Sequence, residues 1–165
     1  DRTCTEEYNG SAWSSGGNLI NAGSAMGGFG TQNAGVRAGG TTGPKNACVE
    51  HYDGSTWSSA TALPAVNGDM GSAGTQNAGL VFGGEPASTV TLSYNGTSWS
   101  AESSLITGRN SLPQNCMGTQ DAALAAGGRA PDLVTCTEEY SGVLVPSFYN
   151  FRSCLRCLEG TSTLL

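Results

Sequence analysis

Residues 48–57 read CVEHYDGSTW, and the same design recurs at residues 4–13 (CTEEYNGSAW) and 90–99 (VTLSYNGTSW). In each copy a short run ends in Tyr, an Asn-Gly or Asp-Gly pair follows, and Trp lies five residues after the Tyr. Asn-Gly and Asp-Gly pairs favour the positive φ angles of a type I′ hairpin turn. The stretch therefore predicts two antiparallel strands joined by a tight turn, three times along the chain.

Further repeated residues have the same spacing of about 44 residues. Tyr8, Tyr52, Tyr94 and Tyr140 are 44, 42 and 46 residues apart. Gly-Thr-Gln recurs at residues 30–32, 74–76 and 118–120, and each triplet precedes one of the glycine pairs Gly39-Gly40, Gly83-Gly84 and Gly127-Gly128. These landmarks predict repeats at about 4–47, 48–89 and 90–135, and an incomplete fourth at 136–142. Four short strands in about 44 residues is the period of propeller blades.

Composition supports an all-β chain. Glycine accounts for 25 of 165 residues, and charged residues for only 12%. Glycine costs about 1 kcal/mol per helical position relative to Ala, and Ser, Thr and Asn also disfavour helices. These proportions exclude a helical bundle.

The glycine pair, the Tyr about ten residues later and the following Trp resemble the kelch repeat of β-propellers, over roughly residues 4–142. Only four residues separate Tyr from Trp, which is fewer than in most kelch units. The segment YDGSTW at 52–57 is also similar to the Asp-box hairpin of sialidase-like propellers, with one residue fewer between Asp and Gly. The pattern TEEYNGSxW…GTQNAGxxxGG is still more similar to short kelch-like repeats in tail-fibre and related proteins of bacteriophages.

The resemblance implies propeller blades, but three units are fewer than the four to eight that close a propeller. Three arrangements stay open: a piece of a longer repeat protein, several chains that close one ring, or a three-fold β-prism-like packing. Residues 143–165 lose the repeat, because Val145 stands where Trp is due, and are expected to cap the repeats or to contact another subunit. Within them, Cys154 and Cys157 fit a disulfide better than a metal site, which needs four ligands.

Two groups of repeated residues are candidates for a role. The first is expected to pack the sheets or shape the backbone, and consists of Tyr8, Trp13, Tyr52, Trp57, Tyr94, Trp99, Gly39, Gly40, Gly83, Gly84, Gly127 and Gly128. The second is expected to lie on turns, where it could bind a ligand or connect blades by hydrogen bonds. It consists of Thr31, Gln32, Asn33, Thr75, Gln76, Asn77, Thr119, Gln120 and Asp121.

Charge and residue types exclude several functions. The net charge is −6, and the seven basic residues form no cluster, so neither nucleic-acid binding nor attachment to an anionic membrane is expected. No run is apolar enough for membrane insertion. A single His rules out the usual His-centred triads and metal sites, and the adjacent pairs Glu6-Glu7 and Glu138-Glu139 point to opposite faces of a strand. We therefore expect no enzyme, no cofactor and no metal.

The sequence thus predicts a non-enzymatic, oligomeric recognition module of a phage tail fibre or other virion appendage, located outside the cell. Its partners would be other copies of itself or other virion subunits, and a host-surface glycan or protein. A secreted or cell-surface lectin-like module, an intracellular kelch adaptor and a degenerate sialidase are the alternatives. They differ in what the chain binds and in whether it hydrolyses a sialoside.

Overall fold

The computed structural model describes residues 2–112 and 117–142, which form β-strands and no helix. In chain order the strands are β1 (Glu6–Tyr8), β2 (Trp13–Ser15), β3 (Gly27–Thr31), β4 (Ala34–Ala38), β5 (Val49–Tyr52), β6 (Trp57–Ala60), β7 (Gly71–Thr75), β8 (Ala78–Phe82), β9 (Thr91–Tyr94), β10 (Trp99–Ala101), β11 (Met117–Gly118), β12 (Ala122–Ala126) and β13 (Thr137–Ser141). The all-β prediction is confirmed for this part of the chain. Within the same residues there is no helix of the length and apolarity needed to cross a bilayer.

The strands form four antiparallel sheets in which each strand pairs with the next along the chain. The first sheet is β1–β2, the second β3–β6, the third β7–β10 and the fourth β11–β13. Each four-stranded sheet starts with the two glycine-rich strands of one sequence repeat and ends with the Tyr and Trp strands of the next. The described strands form no closed barrel or propeller, so the architecture shown is a series of packed antiparallel sheets.

The hairpin turns differ from the type I′ turns that the sequence predicts. Tyr52 pairs with Trp57, so four residues form the loop, and of these only Gly54 has positive φ, at +92°. The Asp53 carboxylate accepts hydrogen bonds from the backbone N–H groups of Thr56 (2.7 Å) and Ser55 (2.9 Å). These bonds lower the pKa of Asp53 to about 2. An Asp or Asn that caps its own turn in this way replaces the two-residue loop.

The second and third sheets share the larger core. Their inner strands β3 and β7 are in contact, and β7 in turn contacts β11. The core between them consists of Phe29, Val36, Ala38, Val49, Leu63, Met70, Val81 and Tyr94. Gly79 has to be glycine here, because a Cβ at this position would overlap the Phe29 ring. A smaller core, made of Ala73, Leu80, Phe82, Leu112, Ala123 and Ala125, lies between the third and fourth sheets.

Candidate recognition site

The three Thr-Gln-Asn/Asp segments occupy equivalent turns on one edge of the sheets. They connect β3 to β4, β7 to β8 and β11 to β12. Each turn follows a glycine with φ above +100°, a conformation that other residues rarely adopt. We call residues 31–33, 75–77 and 119–121 the turn edge.

The glutamines of the turn edge connect one sheet to the preceding one. Gln76 donates from Nε2 to the backbone oxygens of Gly35 and Tyr52, both at 3.1 Å. Gln120 repeats this arrangement one sheet further on, at 3.1 Å to Gly79 O and 3.0 Å to Tyr94 O. Their amides are therefore engaged in packing the sheets.

Gln32 has a different environment from the other two glutamines. It is exposed, and its amide contacts the Glu7 carboxylate at 3.3 Å. The first sheet has only two described strands and offers no counterpart of β4, so Gln32 cannot make both backbone contacts within the described chain.

The other turn-edge residues face solvent. Asn33 and Asn77 lie against the hairpin glycines Gly54 and Gly96 of their own sheets, which brings the two kinds of turn together on one edge. The hydroxyls of Thr31, Thr75 and Thr119 belong to exposed residues and make no hydrogen bond to the described residues. These three threonines, together with Asn33, Asn77 and Asp121, form the polar surface that a ligand could reach. Gln76 and Gln120 are less accessible.

Tyr8, Tyr52 and Tyr94 each pack against the Trp of the same hairpin. The ring centroids lie 4.4 Å apart in Tyr94–Trp99 and 4.9 Å apart in Tyr52–Trp57. The indole N–H groups reach residues that flank the preceding sheet. Trp57 donates to Thr5 Oγ1 at 3.0 Å, and Trp99 donates to Thr61 O at 2.9 Å. The aromatic pairs thus pack within a sheet and hydrogen-bond between sheets.

The first aromatic pair lacks a preceding sheet in the described chain. The Tyr8 and Trp13 rings are 5.2 Å apart, but Tyr8 is 48% and Trp13 67% exposed. Tyr94, by contrast, is fully buried. The face that carries Tyr8 and Trp13 is therefore an apolar surface of a kind that is covered elsewhere in the molecule.

The Tyr hydroxyls also reach the preceding sheet. Tyr52 donates to Glu7, and Tyr94 lies 3.0 Å from Nε2 of His51. Tyr140 donates to Glu102 at 3.2 Å. Burial and the Glu102 charge raise the pKa of Tyr140 to about 12, and burial lowers the pKa of His51. At neutral pH the tyrosine hydroxyls and the His51 ring are therefore uncharged and suited to hydrogen bonding.

The glycine pairs lie where the chain leaves the second strand of each sheet. All six glycines have positive φ. A Cβ on Gly84 would overlap the Asn67 side chain, and one on Gly83 would lie 2.6 Å from Arg109 O. Both conformation and close approach therefore require glycine at this bend.

Two buried carboxylates form a feature that the sequence reasoning missed. Glu50 is fully buried and accepts from the backbone N–H groups of Ile20 (2.8 Å) and Asn21 (3.0 Å) in the loop after the first sheet. The Arg37 guanidinium lies 3.5 Å away and donates to Gly39 O at 2.8 Å. The cluster fastens this loop to the second sheet.

The fourth sheet repeats the cluster with an arginine from another place. Glu138 accepts from the N–H groups of Ile106 (2.6 Å) and Thr107 (3.1 Å) and pairs with the fully buried Arg109. Arg109 donates to Gly127 O at 3.0 Å. Arg37 lies on β4 and Arg109 in the loop before β11, so two unrelated repeat positions deliver a guanidinium to one kind of site.

The third sheet has no charged residue at any of the equivalent positions. Leu92 occupies the carboxylate position, and Val81 is its cross-strand partner. Pro64, which has no N–H, stands where Ile20 and Ile106 donate. Asn67 occupies the position of Arg109 and donates to Gly83 O at 3.0 Å. This joint replacement indicates that the cluster acts as one unit between sheets.

A cavity of about 290 Å³ lies between the third and fourth sheets. Leu80, Phe82 and Ala125 provide an apolar wall, and Thr91, Glu138 and Tyr140 provide polar groups. This volume is near the lower end of small-molecule sites.

The cysteines and metal candidates add no site in the described residues. Cys4, Cys48 and Cys136 are free thiols, and within residues 2–112 and 117–142 no three His, Cys, Asp or Glu side chains are grouped as metal ligands. The disulfide predicted for Cys154 and Cys157 lies outside the described residues, as does the capping role of residues 143–165. A scan against protein-family models matches no family, and a search of curated proteins finds no match.

Proposed function

We propose that this chain is a non-enzymatic recognition module of a phage tail fibre or other virion appendage, which acts outside the cell by binding a host-surface glycan or protein. The observation that carries the proposal is the turn edge. Packed sheets hold three equivalent polar turns on one edge, and the hydroxyls of Thr31, Thr75 and Thr119 are left available for a ligand. A rigid scaffold that presents polar loops is a common arrangement for recognition.

The sheets themselves are proposed to be blades of a kelch-like propeller. Inner strands in mutual contact and the equivalent cross-sheet bonds of Gln76 and Gln120 support this arrangement. The exposed Tyr8 and Trp13 support contact with a further sheet of the same kind, from another copy of the chain or from another virion subunit. Large exposed apolar surfaces of this type favour association.

The test is binding of labelled protein to a panel of bacterial cells and to a glycan array. We expect binding, and we expect the triple variant Thr31→Lys, Thr75→Lys, Thr119→Lys to lose at least tenfold in affinity. The matched control is Thr42→Lys, an exposed threonine outside the turn edge. Because all four positions are exposed, each change should alter the free energy of unfolding by less than about 0.5 kcal/mol. Absence of binding to every cell and glycan, or equal binding by the triple variant, would contradict the proposal.

A further inference from the structure

The cavity between the third and fourth sheets has a filled counterpart one sheet earlier. At the contact of the second and third sheets, Val81 and Leu92 project into the core side of the sheet. The fourth sheet has Ala125 and Glu138 at these positions, and the carboxylate of Glu138 turns towards the loop at 106–107. At these two positions the earlier interface carries aliphatic side chains, whereas the fourth sheet offers only a methyl group and a carboxylate that is bound elsewhere.

The lining of the cavity is divided into an apolar and a polar part. Leu80 and Phe82 are buried on the third sheet, and Ala125 faces them from the fourth. Thr91 lines the cavity from the third sheet, and its hydroxyl makes no hydrogen bond to the described residues. The cavity thus offers an apolar surface beside a hydroxyl group that is available for a hydrogen bond.

The charge of the site restricts what it could bind. Two carboxylates lie close to the cavity: Glu138 lines it, and Glu102 lies within hydrogen-bond distance of Tyr140. The Arg109 guanidinium, which lies nearby, is already paired with Glu138. Excess carboxylate disfavours an anion through like-charge repulsion, whereas carboxylates accept hydrogen bonds well from neutral hydroxyl groups.

We propose that this cavity binds one neutral sugar residue, with a C–H face on Leu80 and Phe82 and with a hydroxyl group on Thr91. The inference rests on the proposed function, because it locates a glycan-binding site in a module proposed to recognise host surfaces. The site is separate from the turn edge. Its volume of about 290 Å³ suits a single ring and no longer chain.

The test uses two variants that either fill the cavity or remove its hydroxyl group, each with a residue found at the equivalent position of another sheet. Ala125→Val restores the side chain of the equivalent Val81, and Thr91→Val restores that of Val49 and removes the hydroxyl at nearly constant shape. Thr42→Val makes the same chemical change at an exposed position and is the matched control. Binding is measured by saturation-transfer NMR and calorimetry with glucose, galactose and N-acetylglucosamine, and with glucuronic acid as the anionic probe.

We expect at least one neutral sugar to bind and glucuronic acid to bind at least tenfold more weakly. Ala125→Val should lose at least tenfold in affinity, Thr91→Val about tenfold, and Thr42→Val nothing. Both cavity variants should melt at or above the temperature of the parent chain; if Ala125→Val fails to fold, Thr91→Val decides.

Three results would overturn the inference. Unchanged sugar affinity in the cavity variants, or stronger binding of glucuronic acid, removes it directly. Binding of the parent chain to cells or glycans without any affinity for the three monosaccharides removes it while the proposed function stands. If the chain binds no cell, glycan or sugar, both the inference and the proposed function fail.

Discussion

Replacing Glu138 by Leu tests whether the buried cluster acts as one unit between the sheets. The change leaves Arg109, which is fully buried, without its counter-ion, and leaves the N–H groups of Ile106 and Thr107 without their acceptor. Removing one partner of a buried ion pair typically costs about 3–5 kcal/mol. For a chain of this size, 1 kcal/mol corresponds to about 2–4 °C in Tm, so we expect Tm to fall by roughly 6–20 °C.

The third sheet shows how the same position is stable without charge. The triple variant Glu138→Leu, Arg109→Asn, Ile106→Pro copies Leu92, Asn67 and Pro64. Apolar replacement of a whole buried ion pair is often neutral or stabilising, so the triple variant should be at least about 2 kcal/mol more stable than Glu138→Leu alone.

Urea denaturation followed by tryptophan fluorescence measures the free energies of unfolding. Glu139→Leu, an identical change at the neighbouring exposed position, is the control and should stay within about 0.5 kcal/mol of the parent chain. If the three single changes simply add up in the triple variant, the cluster is not a unit and the reasoning is refuted.

Three further predictions concern the packing and the turns. Gly79→Ala should lower the free energy of unfolding by about 1–3 kcal/mol, because the added methyl group overpacks against Phe29. In a Phe29→Ala background the loss should be much smaller, and equal losses in a double-mutant cycle would contradict the contact. Gln76→Ala should lower the free energy of unfolding by about 1–2 kcal/mol, because two backbone oxygens lose a donor. Gln32→Ala should change it by less than about 0.5 kcal/mol. Similar losses for the two variants in urea denaturation would argue against the cross-sheet bonds. The stability difference between the parent chain and Asp53→Asn should be constant above about pH 5 and decline towards pH 2. The reason is that the folded-state pKa of Asp53, about 2, lies below the usual 3.8. A pH-independent difference in thermal melts would contradict the capped turn.

The sequence predicts the strands well because their signals are local. The Tyr–turn–Trp spacing and the glycine pairs depend only on neighbouring residues, and each marks a strand or a bend in the structure. The boundaries of the sheets could not be derived in this way. A period has no defined starting point, so the pattern alone does not reveal that each sheet joins the end of one repeat to the start of the next.

The buried cluster shows a second limit of the pattern. Arg37 and Arg109 do not occupy equivalent positions of the sequence repeat, yet their guanidinium groups bind equivalent backbone oxygens, those of Gly39 and Cys48 and those of Gly127 and Cys136. Glu50 and Glu138, both two residues before Tyr, were the available signal. A second signal is that the repeat with Leu92 at the carboxylate position also has Pro64 at the position of the N–H donor, so that the acceptor and its donor are absent together.

The hydrogen exchange of the three tryptophan indole N–H groups, followed in one NMR spectrum, tests the packing of equivalent sheets most directly. Trp57 and Trp99 each donate to a residue that flanks the preceding sheet, whereas Trp13 is 67% exposed. We predict slow exchange for Trp57 and Trp99 and fast exchange for Trp13. Equally fast exchange of all three indoles would contradict the account.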